Sequence, residues 1–405
     1  MPAYVPGTCV IRTEGGIFTA PAGTKFLWVY TGDANNSYWP SYIAVSVDYD
    51  AMPDIVVDND YDKTRRLLFQ LKSTTRAEND VPYKPLTLVH YSDIHGQKVC
   101  QNRINEFREF WKDYIDDTIQ TGDLVTSYWG DGSAFDEEIA PADNPSRNIL
   151  SVIGNHDVAS KNGSDFVWHT YQGKQAYDRY IAPFIDYWGN VVQPEGASEN
   201  GYCFYYKDYP DSKIRLVVLD TFNNDDAYEA FQQTWFAGVL ADAISEGLSV
   251  IVASHFRIKC EALLKSPFTM PWAAVENPDS SVCNDPYIPL VKEFIDNGGE
   301  LVCWITGHSH YDAISKTSEE NGSQINICVN RAGAFGSKST SLWETNSFIN
   351  IDFSDWKTFD CFNVMAVDTH YKFITLFRVG SNRDKMGRLI ETCCIRYKTG
   401  EILYP

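Results

Sequence analysis

Two short runs hold residues that a hydrophobic core has no use for. "VIGNHDVAS" sets Gly154, Asn155, His156 and Asp157 in a row directly behind the apolar stretch Ile149–Ile153. "ITGHSH" sets His308 and His310 behind a second apolar stretch. The same habit recurs along the chain. "SDIHG" gives Asp93 and His95, "TGDLV" gives Asp123, and "SHF" gives His255. Carboxylate and amide oxygens with imidazole nitrogens suit a divalent metal such as Mn, Fe or Zn, and imidazole also suits proton transfer. In "DIH" and "HSH", residues i and i+2 fall on the same side of an extended chain. Taken alone, Asp93 and Asp123 also fit helix N-caps, and a lone histidine such as His255 is more often a satisfied polar residue than a ligand.

The elements that must position these groups are short and regular. "LTLVHYSD", "NILSVIG", "KIRLVVLDT", "LSVIVASH" and "ELVCWITGHSH" read as strands. "NRINEFREFWKDYIDD" reads as a helix, with Ile104, Phe107, Phe110, Trp111 and Tyr114 near helical spacing. "YEAFQQTWFAGVLADAISEG" reads as a helix stopped by Gly247, and "YIPLVKEFIDNGG" as another with a glycine stop. Alternation of helices with continuously apolar strands predicts an α/β core with covered sheets. Metal-type residues at the C-terminal ends of such strands lie where open α/β sheets place their sites. The segments "FNVMAVDTHYKFITLFRVGS" and "ETCCIRYKTGEILYP" read as hairpins closing a second sheet, with His370 in a turn.

Residues 1–80 have a different grammar. "CVIRT", "GIFTA", "FLWVYTG" and "YIAVSVDY" are β-type runs broken by Gly, Asn and Pro, as in a small antiparallel sandwich. Trp28, Tyr30, Tyr38, Trp39 and Tyr42 read as its core and edge aromatics in preference to a sugar-stacking platform. "TTRAENDVPYKP" reads as a linker, so the expected domains are 1–80 and 81–405.

Composition narrows the partners. A formal net charge of -20 opposes nucleic acid, and Lys63, Arg65 and Arg66 read as a solvated face and not a binding stripe. A phosphate site in this chain needs positive charge of its own. No apolar run approaches the roughly 20 residues of a membrane helix. "MPAYVPGTCVIRTEGG" lacks the pattern of a signal peptide, which leaves a cytoplasmic location, or a virion or extracellular one if the chain is phage-borne or trimmed. The ten cysteines include no CxxC pair. Cys303 and Cys328 read as buried thiols, and Cys260 and Cys283 as a pair in an oxidising compartment only.

Asp-x-His, Gly-Asp, Gly-Asn-His-Asp, His and Gly-His-x-His, in that order over residues 85–405, resemble the calcineurin-like metallophosphoesterase superfamily. The resemblance implies a four-layer αββα sandwich of two mixed sheets, here preceded by the small all-β domain. It implies two divalent metal ions. One would take Asp93, His95 and His310, the other Asn155, His255 and His308, with Asp123 bridging. His156 would stay off the metals and act on the substrate, with Asp157 as support. Members often carry Asp or Asn three residues after the bridging Asp to orient the histidine. Thr126 stands there, so Thr126 or a more distant carboxylate must serve, and Ser127 replaces the arginine that grips phosphate in protein phosphatases. The implied activity is hydrolysis of a phosphodiester or small phosphomonoester, with a cell-envelope glycopolymer suggested by the N-terminal β-runs. The alternatives are a nuclease of the same superfamily or a non-catalytic binding protein retaining the fold.

Overall fold

A computed structural model describes residues 84–130, 132–141, 144–256, 262–263, 286–308, 313–316, 327–330, 361–380, 392–399 and 401–404. The expected N-terminal domain, its aromatics, Cys260, Cys283 and His310 lie outside the described residues.

Along the chain run strand β1 (Leu86–Tyr91), helix α1 (Lys98–Phe110), β2 (Asp117–Gln120), β3 (Ile149–Ser151), β4 (Ser160–Asn162), β5 (Asp165–Val167), β6 (Val191–Val192), β7 (Tyr205–Tyr209) and β8 (Ile214–Val218). Helix α2 (Asp226–Glu246), β9 (Ser249–Ala253), β10 (Ala262–Leu263), helix α3 (Tyr287–Asp296), β11 (Glu300–Thr306), β12 (Ala313–Lys316) and β13 (Ile327–Asn330) follow. The last four are β14 (Cys361–Asp368), β15 (Phe373–Gly380), β16 (Thr392–Arg396) and β17 (Glu401–Tyr404). Short helical turns fill several connections.

Among the described residues the strands form two mixed sheets and one separate hairpin, β4–β5. The first sheet has the order β17-β16-β15-β14-β1-β2-β3, with β1, β2 and β3 parallel. The second has the order β10-β12-β13-β11-β9-β8-β7-β6, with β8, β9, β11 and β13 parallel. The two C-terminal hairpins, β14–β15 and β16–β17, close a sheet as expected, and it is the sheet that β1 begins. β14 pairs antiparallel with β1, Leu86 opposite Val367, so they complete the first sheet. His370 sits in the β14–β15 turn as expected, where the Asp368 carboxylate accepts from the His370 and Tyr371 amides.

Period-two alternation sorts the second sheet's side chains. Ile214, Leu216 and Val218 of β8 and Ile251 and Ala253 of β9 join one core with Leu86, Leu88, Val364 and Ala366 of the first sheet. The alternate residues, Val217, Val250 and Val252, join Phe236, Leu240 and Ala243 of α2 and Val291 and Phe294 of α3. α2 ends at Gly247 as its sequence predicts and begins two residues earlier than expected, at Asp226 and not Tyr228. The Asp225 carboxylate caps its start by accepting from the Ala227 and Tyr228 amides at 2.9 Å, and Gly247 ends it in the left-handed region at φ 65°. No helix among the described residues is long and apolar enough to cross a membrane.

α1 departs from expectation. It stops at Phe110, not near Asp117. Trp111 and Tyr114 make a turn, and the Asp116 carboxylate accepts the Thr87 amide at 2.8 Å while the Asp116 amide donates to the Thr87 carbonyl. That exchange pulls the chain alongside β1, and the β-branched Thr118 and Ile119 continue as β2. Ile104, Phe107 and Trp111 of this segment are buried, Cys303 is buried as predicted, and the thiols of Cys100 and Cys203 are buried as well.

Candidate metal centre

The loops that leave β1, β2 and β3 meet the loops that leave β9 and β11. Neighbouring strands bring their ends together, and the backbones then zip side by side: Asp93 N–H to Gly122 carbonyl at 2.9 Å, His95 N–H to Asp123 carbonyl at 3.0 Å. The two sheets are joined here by Asp93, whose carboxylate accepts the His308 amide at 3.0 Å, and by His255, whose Nδ1 lies 2.7 Å from the Thr121 carbonyl.

A glycine precedes three of the expected ligands, and in each case the space is needed. A Cβ on Gly122 would run into the His255 ring, one on Gly154 into the Asp123 amide and carboxylate, and one on Gly307 into Ser92. A glycine repeated before ligand-type residues is a sequence signal for close approach, one the motif reading did not use. Backbone strain gathers at the same place. Asp93, His95, Asp123 and His308 all lie in the left-handed region, at φ 55°, 45°, 55° and 67°. A non-glycine residue held there costs on the order of 1–3 kcal/mol and persists where surrounding structure or function demands it.

The ligand-type atoms fall into two groups that share one residue. His95, Asp123 and His156 form one, and Asp123, His255 and His308 form the other, with the donor atoms of each group within 4.8 Å of one another. Asn155 completes the second group: its Oδ1 lies 3.0 Å from both His255 Nε2 and His308 Nδ1. Asp123 Oδ2 is buried without a hydrogen-bond partner and lies 3.3 Å from His255 Nε2 and 3.8 Å from His95 Nε2. A carbonyl only accepts, so the proton of His255 that Thr121 holds is on Nδ1, and Nε2 faces Asp123. Unoccupied acceptor capacity in a buried pocket of oxygen and imidazole donors fits a divalent cation. Burial opposes charge on Asp123, yet His255, His156 and His95 hold its carboxyl well below the usual carboxylate range. Burial likewise opposes charge on His255, and Asp123 overrides it, pushing the imidazole up to about 9.

His156 stands at the edge of the first group. Its ring is nearly perpendicular to that of His95, with centroids 4.7 Å apart. Its Nδ1 lies 2.7 Å from the Thr126 carbonyl, and its amide donates to Asp123 Oδ1 at 2.8 Å. Thr126 therefore holds His156 through its backbone, while its hydroxyl donates to the His95 carbonyl at 3.0 Å. Asp157 lies beneath the site. Its carboxylate accepts the amides of Asp123, Gly154 and Val125 at 2.9, 2.8 and 3.2 Å, and burial, with Asp123 close by, pushes it up to about 7. Sequence reasoning missed an aromatic rim, Phe166, Trp168, Phe222 and Phe256, which begins against His156 and ends against His308.

Oxygen and imidazole donors gathered at the C-terminal ends of parallel strands from two sheets define a metal-binding α/β protein. The chain belongs to the calcineurin-like phosphoesterase family, which it matches over residues 86–312. Comparison with curated proteins finds no match. Among solved structures it is similar to a purple acid phosphatase, PPD1, from yellow lupin (Lupinus luteus) seeds, at 13% identity and TM-score 0.42 over 76% of this chain. The chain spans 53% of that lupin protein's length. It is also similar to a dimetal phosphatase from Danio rerio, at 11% identity and TM-score 0.45, over 77% of this chain and 99% of that one. A third likeness, at 13% identity and TM-score 0.39 over 76% and 87%, is to GAP50, the anchor in the inner membrane complex of Plasmodium.

Proposed function

We propose that this chain hydrolyses phosphate esters with two divalent cations, Mn, Fe or Zn by the character of the donors. The observation that carries the reading is the buried Asp123 carboxylate, shared by two donor groups and left with an unsatisfied oxygen between their histidines. Asp93, His95, Asp123 and His310 would hold one cation, and Asp123, Asn155, His255 and His308 the other. Such a pair, when bound, supplies Lewis acidity and an acidified water for in-line displacement at phosphorus. It also brings the positive charge that a chain of net charge -20 lacks for an anionic substrate.

The protein's own groups do the rest. Asn155 contributes an uncharged oxygen, which leaves its cation more electrophilic than a carboxylate would. The Thr126 carbonyl holds the Nδ1 proton of His156, so in the imidazolium form it is Nε2 that gives its proton to the leaving oxygen, leaving the neutral Nδ1–H imidazole. Asp157 anchors the backbone of Asp123 and Gly154, and so fixes where the bridging carboxylate points. The αββα arrangement goes with this reading, the two sheets each lending ligands from one end.

Metal analysis coupled to a panel of phosphomono- and phosphodiesters tests the proposal. The expected result is two metals per chain and hydrolysis that a chelator abolishes and metal restores. Hydrolysis indifferent to chelation, or full activity with a single metal, would overturn it.

A further inference from the structure

The aromatic rim has no task in the phosphoryl chemistry. Phe166 on β5 and Trp168 just beyond it stack with centroids 5.1 Å apart and planes 14° from parallel. The His156 ring stands almost perpendicular to both, at 4.7 and 5.2 Å. The arc continues from Trp168 to Phe222 at 6.3 Å, to Phe256 at 5.3 Å and to His308 at 4.3 Å. Trp168 nonetheless keeps 42% of its surface exposed.

The loop that presents Trp168 is braced. His169 adopts φ 59°, stacks on Phe222 at 4.2 Å, and its Nδ1 lies 2.9 Å from the Phe222 carbonyl. Gln172 and Asn224 bond each other, Nε2 to Oδ1 at 2.6 Å. Strain and bracing hold an exposed indole beside the group that protonates the leaving oxygen, so whatever the leaving oxygen carries falls against it. An aromatic face takes another flat ring in offset stacking. A polyhydroxylated sugar is a poorer fit, because both ends of the Gln172 amide are already committed to Asn224 and the rings beside Trp168 other than the histidines, Phe166 and Phe222, are hydrocarbon.

We infer that Trp168, backed by Phe166, is a leaving-group subsite for a planar aromatic ring in the alcohol half of the ester. The inference rests on the hydrolase reading, but binding tests it separately. Calorimetry on the metal-replete full chain compares benzylphosphonate with cyclohexylmethylphosphonate, a flat ring against a puckered one of the same skeleton. The flat ring should bind about tenfold tighter, the size of one good stacking contact. Trp168→Ala should erase that preference, and for benzyl phosphate the loss should fall on KM and not on kcat. Trp168→Phe should recover most of it. Equal binding of the two phosphonates, a preference that survives Trp168→Ala, or an equal loss on glucose 6-phosphate would each overturn the subsite. Retained preference with no turnover of any ester would keep the subsite and overturn the hydrolase reading.

Discussion

At His156 the two ring nitrogens have separate fates. Nδ1 is spent on the Thr126 carbonyl, and the other nitrogen remains for chemistry. His156→Ala should therefore retain both metals and slow an alkyl phosphate ester by about 10²–10⁴, the usual worth of a placed proton donor. A nitrophenyl ester, whose leaving group needs no proton, should lose far less. Metal content and the two rates decide the matter. Equal losses would assign His156 to gripping the phosphoryl group, and loss of metal would make it a ligand, a role for which it is close enough to His95 and Asp123. The sequence made this residue conspicuous but not its partner. A threonine three positions past Asp123 points to a hydroxyl, whereas the bond comes from its backbone, which side-chain identity does not encode.

Elements were legible where pattern is local and opaque where it is not. Strand ends, the Gly247 stop of α2 and the β14–β15 turn follow from periodicity, capping and turn chemistry. The early stop of α1 follows from a long-range exchange between Asp116 and Thr87, which no local window contains. The pairing of β14 with β1 spans most of the described chain, and the β4–β5 hairpin sits in an insert without periodic signal. Asp157 governs how two of these elements meet, since it binds amides from the loops after β2 and β3. Asp157→Ala leaves three buried donors unpaired, each worth about 1–3 kcal/mol. A loss of at least 3 kcal/mol in urea unfolding is expected, together with lower metal content. A loss under 1 kcal/mol would show that the loops hold themselves.

Across the whole molecule, ionic clusters fasten the two sheets at the end away from the metal centre. Glu300, the first residue of β11, accepts from Lys372 at 2.7 Å, Lys398 at 2.8 Å, the Tyr397 hydroxyl at 2.6 Å and the Ser249 hydroxyl at 2.8 Å. Asp117, the first residue of β2, accepts from Lys207 and from the Tyr209 hydroxyl of β7 at 2.5 and 2.9 Å. Burial opposes the charge on Glu300, but the lysines, Tyr397 and Ser249 outweigh it and lower its carboxyl from 4.5 to about 2. A folded-state value below the unfolded one stabilises the fold above about pH 4.5, and that contribution fades as pH falls toward 2. Glu300→Gln should melt earlier than the parent at pH 7, with the gap narrowing steadily between pH 4.5 and 2. A gap constant with pH would assign the effect to packing and not to charge.

With one end fastened by Glu300 and Asp117 and the other carrying the proposed ligands from both sheets, the two-sheet core is built like a peg with a pivot and jaws. The pivot is covalent chain and ion pairs, and it does not depend on free metal. If the jaws close on cations, as proposed, their grip is set by free metal, about 2.7 kcal/mol per site at a hundred times the dissociation constant. Chelation should lower the melting temperature and let the molecule gape from one end. Hydrogen exchange should then quicken first at the amides of Asp93, His95, Asp123 and His308, while β8 stays protected and the Lys372–Glu300 corner opens last. Uniform acceleration along the chain would mean there are no jaws. Directional opening would make this protein's durability a reading of the metal around it, so that a starved molecule exposes its own catalytic loops to proteases before anything else.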